Sequence, residues 1–184
     1  MGQGSTFTLW AALGAVVGCA SDGSSSGPSQ GRPVDISGVY AVTHHTRNPS
    51  NCGVEGADVS TYTHFQAIAT SDSGYAVVEC GSADPASCPT RTDTAFFDQL
   101  IAAFDTPEVD GWSLEFAWAS DLPPCHLTFV ATQVVLTGEE LHIEVRVYAE
   151  DTNLVRPDCS VELAAERNTS MPCDEFVVVA GTRL

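Results

Sequence analysis

Two alternating apolar runs joined by a turn narrow the fold more than any other feature of the chain. Cys125–Leu136 and Leu141–Tyr148 flank Thr137-Gly138-Glu139-Glu140, a segment with the composition of a hairpin connection. Closing that hairpin pairs Leu136 with Leu141. It then sets Val134 opposite Ile143, Thr132 opposite Val145 and Val130 opposite Val147, because strand side chains alternate faces with a period of two. This face is apolar and belongs in a core. The other carries Gln133, Ala131 and Phe129 opposite Glu144, Arg146 and Tyr148. It is mixed: the solvated side of a sheet, or a polar pocket if it turns inward.

The same period recurs along the chain. Trp112–Trp118 alternates large apolar with small or polar residues. Gly38–Thr46, Ser60–Thr70, Gly74–Cys80, Cys159–Glu166 and Glu175–Thr182 are further strand candidates, about eight in all. One segment breaks the pattern. In Thr94–Phe104 the apolar residues Phe96, Phe97, Leu100, Ile101 and Phe104 form a helical stripe. Thr92 or Asp93 stands ready to cap it, and Pro107 follows its end. The expected architecture is mainly β: an antiparallel meander forming a small barrel or sandwich, with one amphipathic helix.

Charge excludes one class of partner. The chain carries 24 acidic residues against 7 basic ones, all Arg, for a net charge of −17. Such a surface repels phosphate backbones, so nucleic acid is not expected as a partner.

The first 33 residues read as address and anchor. Leu9–Gly18 is apolar, uncharged and too short to span a bilayer as a helix, which needs about 20 residues. It fits the apolar region of a secretory leader. The leader ends in Val16-Val17-Gly18-Cys19, which resembles the lipobox of bacterial lipoproteins. That resemblance implies cleavage before Cys19, a diacylglyceryl group on its thiol and an acyl chain such as palmitate on the new amine. Ala20 rather than Asp follows Cys19, which by the sorting rule of that family implies the outer membrane. The segment departs from the pattern in holding no Lys or Arg between Met1 and Trp10. Ala20–Pro33, rich in Ser and Gly, reads as a flexible tether spanning roughly 20 Å. The expected organisation is thus leader 1–18, lipidated Cys19 with tether 19–33, and one β domain 34–184.

Cysteine arithmetic agrees with this. Of seven cysteines, an acylated Cys19 leaves six, an even number suited to disulfides in an oxidising compartment. The short spacing and turn residues favour Cys80 with Cys88. Cys159 with Cys173 closes the next shortest loop, and elimination leaves Cys52 with Cys125. No CxxC supports a zinc site.

Chemistry is sparsely marked. His44 and His45 are adjacent, so they point to opposite faces of a strand. Either could meet His64 as a metal-ligand pair if the two strands are neighbours. No G-x-S-x-G is present. The acidic turn Asp105–Gly111 lacks the spacing of a calcium loop. No catalytic residue and no cofactor is assigned.

Asp35-Ile36-Ser37-Gly38-Val39-Tyr40 is similar to the opening strand of lipocalin-like barrels, with Tyr40 where that family usually has Trp. The resemblance implies a barrel and brings no site residues. Three functions are therefore weighed. The first is a non-enzymatic, lipid-anchored envelope component that interacts with a protein partner or surface glycans. The second is a small-ligand carrier with an interior cavity. The third is an envelope hydrolase, which needs a cleft joining a carboxylate to a His.

Overall fold

The structure, a computed structural model, describes residues 33–49, 52–59, 62–70, 73–90, 98–120 and 124–184. The leader, Cys19 and the tether up to residue 32 lie outside the described residues. The strands are β1 (Gly38–Pro49), β2 (Ala57–Asp58), β3 (His64–Ala69), β4 (Tyr75–Cys80), β5 (Leu100–Phe104), β6 (Thr106–Pro107), β7 (Gly111–Ser120), β8 (Cys125–Thr137), β9 (Glu140–Thr152) and β10 (Cys173–Arg183). A short α-helix, α1 (Val161–Arg167), precedes β10.

All pairings are antiparallel, in the order β5-β4-β3-β1-β10-β9-β8-β7-β6, with β2 beside β1. The two edge strands β5 and β6 are separated only by Asp105. They are two halves of one kinked strand, the first paired with β4 and the second with β7. The sheet therefore closes on itself as an up-and-down barrel whose first strand pairs with its last. At the kink, Asp105 N–H donates to Ser113 O (3.1 Å), and the Thr132 hydroxyl donates across to Ala103 O (2.8 Å). Beyond Ser113, the outer edge of β7 has no strand partner among the described residues, so the barrel is nearly rather than fully closed.

The β8–β9 hairpin has the register expected from its sequence: Leu136 opposite Leu141, Val134 opposite Ile143, Thr132 opposite Val145, Val130 opposite Val147. The apolar face points into the barrel. Gln133, Glu144, Arg146 and Tyr148 lie on the outer face; Arg146 pairs with Glu144 and lies over the Phe176 ring.

One end of the barrel is closed by packing. Tyr40, Phe65, Leu141, Ile143, Val134 and Val179 are fully or almost fully buried there. Tyr40 stacks on Phe65 with ring centroids 5.1 Å apart. Gly181 sits against that stack: a Cβ there would fall 2.6 Å from Phe65 Cε1 and 2.8 Å from Ala41 O. The segment before β1 plugs the same end. Ile36 is wholly buried, Trp112 Nε1 donates to Val34 O (2.7 Å), and the Tyr75 hydroxyl donates to Asp35 Oδ1 (3.0 Å). Gly38 has φ +147, which suits glycine, and the Arg183 guanidinium beside it donates to the Tyr40 hydroxyl oxygen (2.8 Å).

Three expectations need correction. Leu100–Phe104, the second half of the expected helix, is strand β5, with Phe104 opposite Tyr75 and Leu100 opposite Val78. In that run Leu-Ile-Ala-Ala-Phe is apolar throughout, so it carries no period of its own, and pairing with β4 decides its conformation. Thr94–Phe97 lies outside the described residues. Conversely, the strand expected over Cys159–Glu166 is mostly helix α1. Ser160 caps it by accepting from Leu163 N–H (3.2 Å), and Glu162 lies in its first turn. The helix packs its Ala164 and Leu163 against the outer face of β7 and β8, over Leu127, Phe129 and Ala117.

The third correction concerns the disulfides. Cys80 is bonded to Cys88 as expected, but Cys52 is bonded to Cys173 and Cys125 to Cys159. The helix is the reason. By packing on β8 it carries Cys159 onto Cys125, the first residue of that strand, and leaves Cys173 to start β10 beside the far end of β1, which Cys52 follows. All three disulfides sit at the end of the barrel opposite the packed plug.

Candidate ligand-binding recess

The half of the barrel ringed by disulfides is not filled. A cavity of about 470 Å³ opens there, lined by His45, Arg47, Val59, Tyr62, Glu79, Leu100, Ile101, Glu175 and Val177. This lies within the usual size of small-molecule sites. Tyr62 and Glu79 also border an adjoining recess of about 360 Å³ beside Gln99 and Cys80.

A β-bulge decides which histidine enters the cavity. In β1 the register against β10 slips between Val42 and His44, leaving Thr43 unopposed. Tyr40 and Val42 point inward; without the slip the alternation would send His44 inward next. With it, His45 faces in opposite Val179 and His44 faces out. His45 is buried, and its Nδ1 has no hydrogen-bond partner among the described residues. Its ring lies 4.9 Å from that of Tyr62, whose buried hydroxyl is likewise without a partner. Glu79 is the last residue but one of an apolar strand and faces inward, opposite Phe65. No hydrogen bond or ion pair holds its carboxylate among the described residues. Arg47 differs: its guanidinium grips Glu175 twice, Nε to Oε1 at 2.5 Å and Nη2 to Oε2 at 3.0 Å.

Burial sets the ionisation of this cluster. It pushes His45 below the ordinary histidine range, with Asp58 partly opposing, so the ring is held toward its neutral form. Burial raises the Tyr62 hydroxyl and keeps it protonated. Burial also raises the Glu79 carboxyl. These are the costs of placing polar groups in a site that provides them no internal partner.

The expected metal-ligand candidates do not converge. His64 lies opposite Ala41 and bonds to the Thr63 hydroxyl (2.9 Å). It is three residues along the ladder from His44, about 10 Å at strand spacing, and His45 points to the opposite face. His44 instead meets Glu55 at 3.4 Å. Among the described residues no three His, Cys, Asp or Glu side chains cluster as a metal site. The acidic turn is occupied locally: Glu108 accepts from the Ser113 hydroxyl (2.8 Å) and Asp105 from that of Thr106 (2.9 Å).

One arrangement suggests hydrolysis. Ser120, His126 and Asp151 stand directly opposite one another on β7, β8 and β9. His126 Nδ1 and Asp151 Oδ1 are 2.7 Å apart. No hydrogen bond links Ser120 to His126 among the described residues, and both His126 and Asp151 are substantially exposed. Without that hydrogen bond the row shows no activated hydroxyl. The polar-pocket alternative for Gln133 and Arg146 gives only a recess of about 310 Å³ on the outer surface.

Sequence reasoning did not single out Glu79 or Tyr62. A signal for the first was present: a lone Glu in Tyr-Ala-Val-Val-Glu-Cys, where the flanking residues are buried. Fold and recess together define an up-and-down β-barrel, plugged at one end and cupped at the other. No family model matches the chain, and neither a curated protein nor a solved structure matches it.

Proposed function

We propose that this chain is a non-enzymatic, lipid-anchored envelope protein whose barrel takes up a small, largely apolar ligand. The observation that carries the reading is the contrast between the two ends. Bulky side chains fill the plugged half, whereas the cupped half leaves about 470 Å³ between Val59, Leu100, Ile101 and Val177. A barrel stabilised only for its own sake would fill both halves. The disulfides fit the same reading: placed around the cup, they reinforce the end that packing does not. Anchoring rests on the lipobox-like Val16–Cys19, and the three disulfides use the other six cysteines in pairs.

Native mass spectrometry of the protein extracted gently from its own envelope tests both parts. The expected mass corresponds to a chain starting at Cys19 with acyl groups, three disulfides and one bound small molecule. An unacylated chain would end the anchor proposal, and a ligand-free barrel that also takes up no added apolar compound would end the carrier proposal.

A second reading has its own support. Phe116 and Trp118 are 47% and 52% exposed on β7, whose outer edge is unpaired among the described residues. A protein partner that adds a strand there fits the interaction role, and it would travel with the barrel in the same spectrum.

A further inference from the structure

Resting on the carrier reading, we propose that the ligand is a small amine with an apolar body, its ammonium seated on Glu79 in the cup. The charges in the recess leave room for one cation. Arg47 is already neutralised by two contacts to Glu175, and burial holds His45 toward neutrality. Glu79 is the one carboxylate in the lining with no counter-charge among the described residues. An unpaired inward carboxylate is costly, and a bound cation relieves that cost.

The donor and acceptor count points the same way. An ammonium offers three N–H donors and no acceptor. The cup offers the Glu79 carboxylate and two buried orphan acceptors, the Tyr62 oxygen and His45 Nδ1 with its proton on Nε2. The Tyr62 ring adds a face for a cation. Val59, Leu100, Ile101 and Val177 supply apolar contact for the rest of the molecule. Outside the cup, a net charge of −17 draws cations and repels anions. A fatty acid or phosphate would enter against both Glu79 and that field.

The test compares three probes of equal chain length: octylamine, octanol and octanoate, titrated calorimetrically into the full chain at neutral pH and below their aggregation concentrations. Octylamine is expected to bind about ten-fold or more tighter than octanol, and octanoate more weakly than either. Glu79→Gln is expected to bring octylamine to the level of octanol while leaving octanol unchanged. Tyr62→Phe is expected to cost octylamine a smaller factor, and gives an independent readout should the first variant fold poorly. Equal binding of all three probes, or a Glu79→Gln chain that keeps its preference for octylamine, would overturn the amine assignment and leave the carrier reading standing. If no probe binds, both fall together.

Discussion

Cys52 and Cys173 are 121 residues apart in sequence, Cys125 and Cys159 are 34 apart, and Cys80 and Cys88 are 8 apart. In the chain-entropy model the stabilisation grows with the logarithm of loop length, giving about 4.9, about 3.8 and about 2.5 kcal/mol respectively. The two smaller loops lie inside the largest and shorten its free path to roughly 80 residues. That lowers the first figure only to about 4.5 kcal/mol. Pairwise replacement by Ala is therefore expected to destabilise in the order 52/173, then 125/159, then 80/88. Urea unfolding at neutral pH measures this, and the m-value should rise most for 52/173, because the freed chain exposes the most surface. Cys125 is wholly buried, so its pair loses some packing as well, which narrows the gap to the first. Two results would refute the reasoning. One is a loss for 80/88 equal to that for 52/173. The other is a single Cys52→Ala chain in which the thiol that becomes reactive is Cys125 rather than Cys173.

Other expectations follow from the plug and the cup. Gly181→Ala should destabilise by about 1–3 kcal/mol, because its Cβ collides with Ala41 O and the Phe65 ring; thermal unfolding at one pH reads this directly. His45 makes stability fall on acidification: the unfolded chain takes up its proton near pH 6.5 while the folded ring, its affinity lowered by burial, resists. His45→Asn should flatten the decline in melting temperature below that pH, and an unchanged slope would place the acid sensitivity elsewhere. Glu79 acts with the opposite sign. Its raised folded value means that the native state holds a proton which the unfolded chain has released, so stability falls as pH rises through that window. Without ligand, Glu79→Gln should melt higher than the parent at pH 7, and a lower melting point would mean that the carboxylate has a stabilising partner.

The sequence made the hairpin legible because both of its runs alternate cleanly and its turn fixes the register. Val134 with Ile143 and Thr132 with Val145 needed nothing from the rest of the chain. Leu100–Phe104 was not legible, since five consecutive apolar residues fit a helix stripe or a buried strand equally well, and only β4 settles the choice. The disulfides failed for a related reason. Preference for short loops works at Cys80–Cys88, where the turn is local, but fails where a helix docks between two cysteines and re-aims them. Ser160 ahead of Val-Glu-Leu-Ala-Ala-Glu-Arg was a cap and a run of good helix formers, and it could have outweighed the strand reading. The site was hidden more deeply. That His45 rather than His44 faces inward depends on one unopposed residue, Thr43, and no local pattern marks a bulge.

Both ends of the described chain leave from the plugged end: Arg183 lies opposite Tyr40, and Leu184 N–H donates to Val39 O (3.0 Å). A handle attached after Leu184 therefore emerges on the side remote from the cup. Fluorophores, biotin tags or sensor-chip linkages placed there should leave the mouth unobstructed. Joining Leu184 to Pro33 through a few residues would give a circularised barrel that could be reopened at the β8–β9 turn, around Gly138, without cutting a wall of the recess.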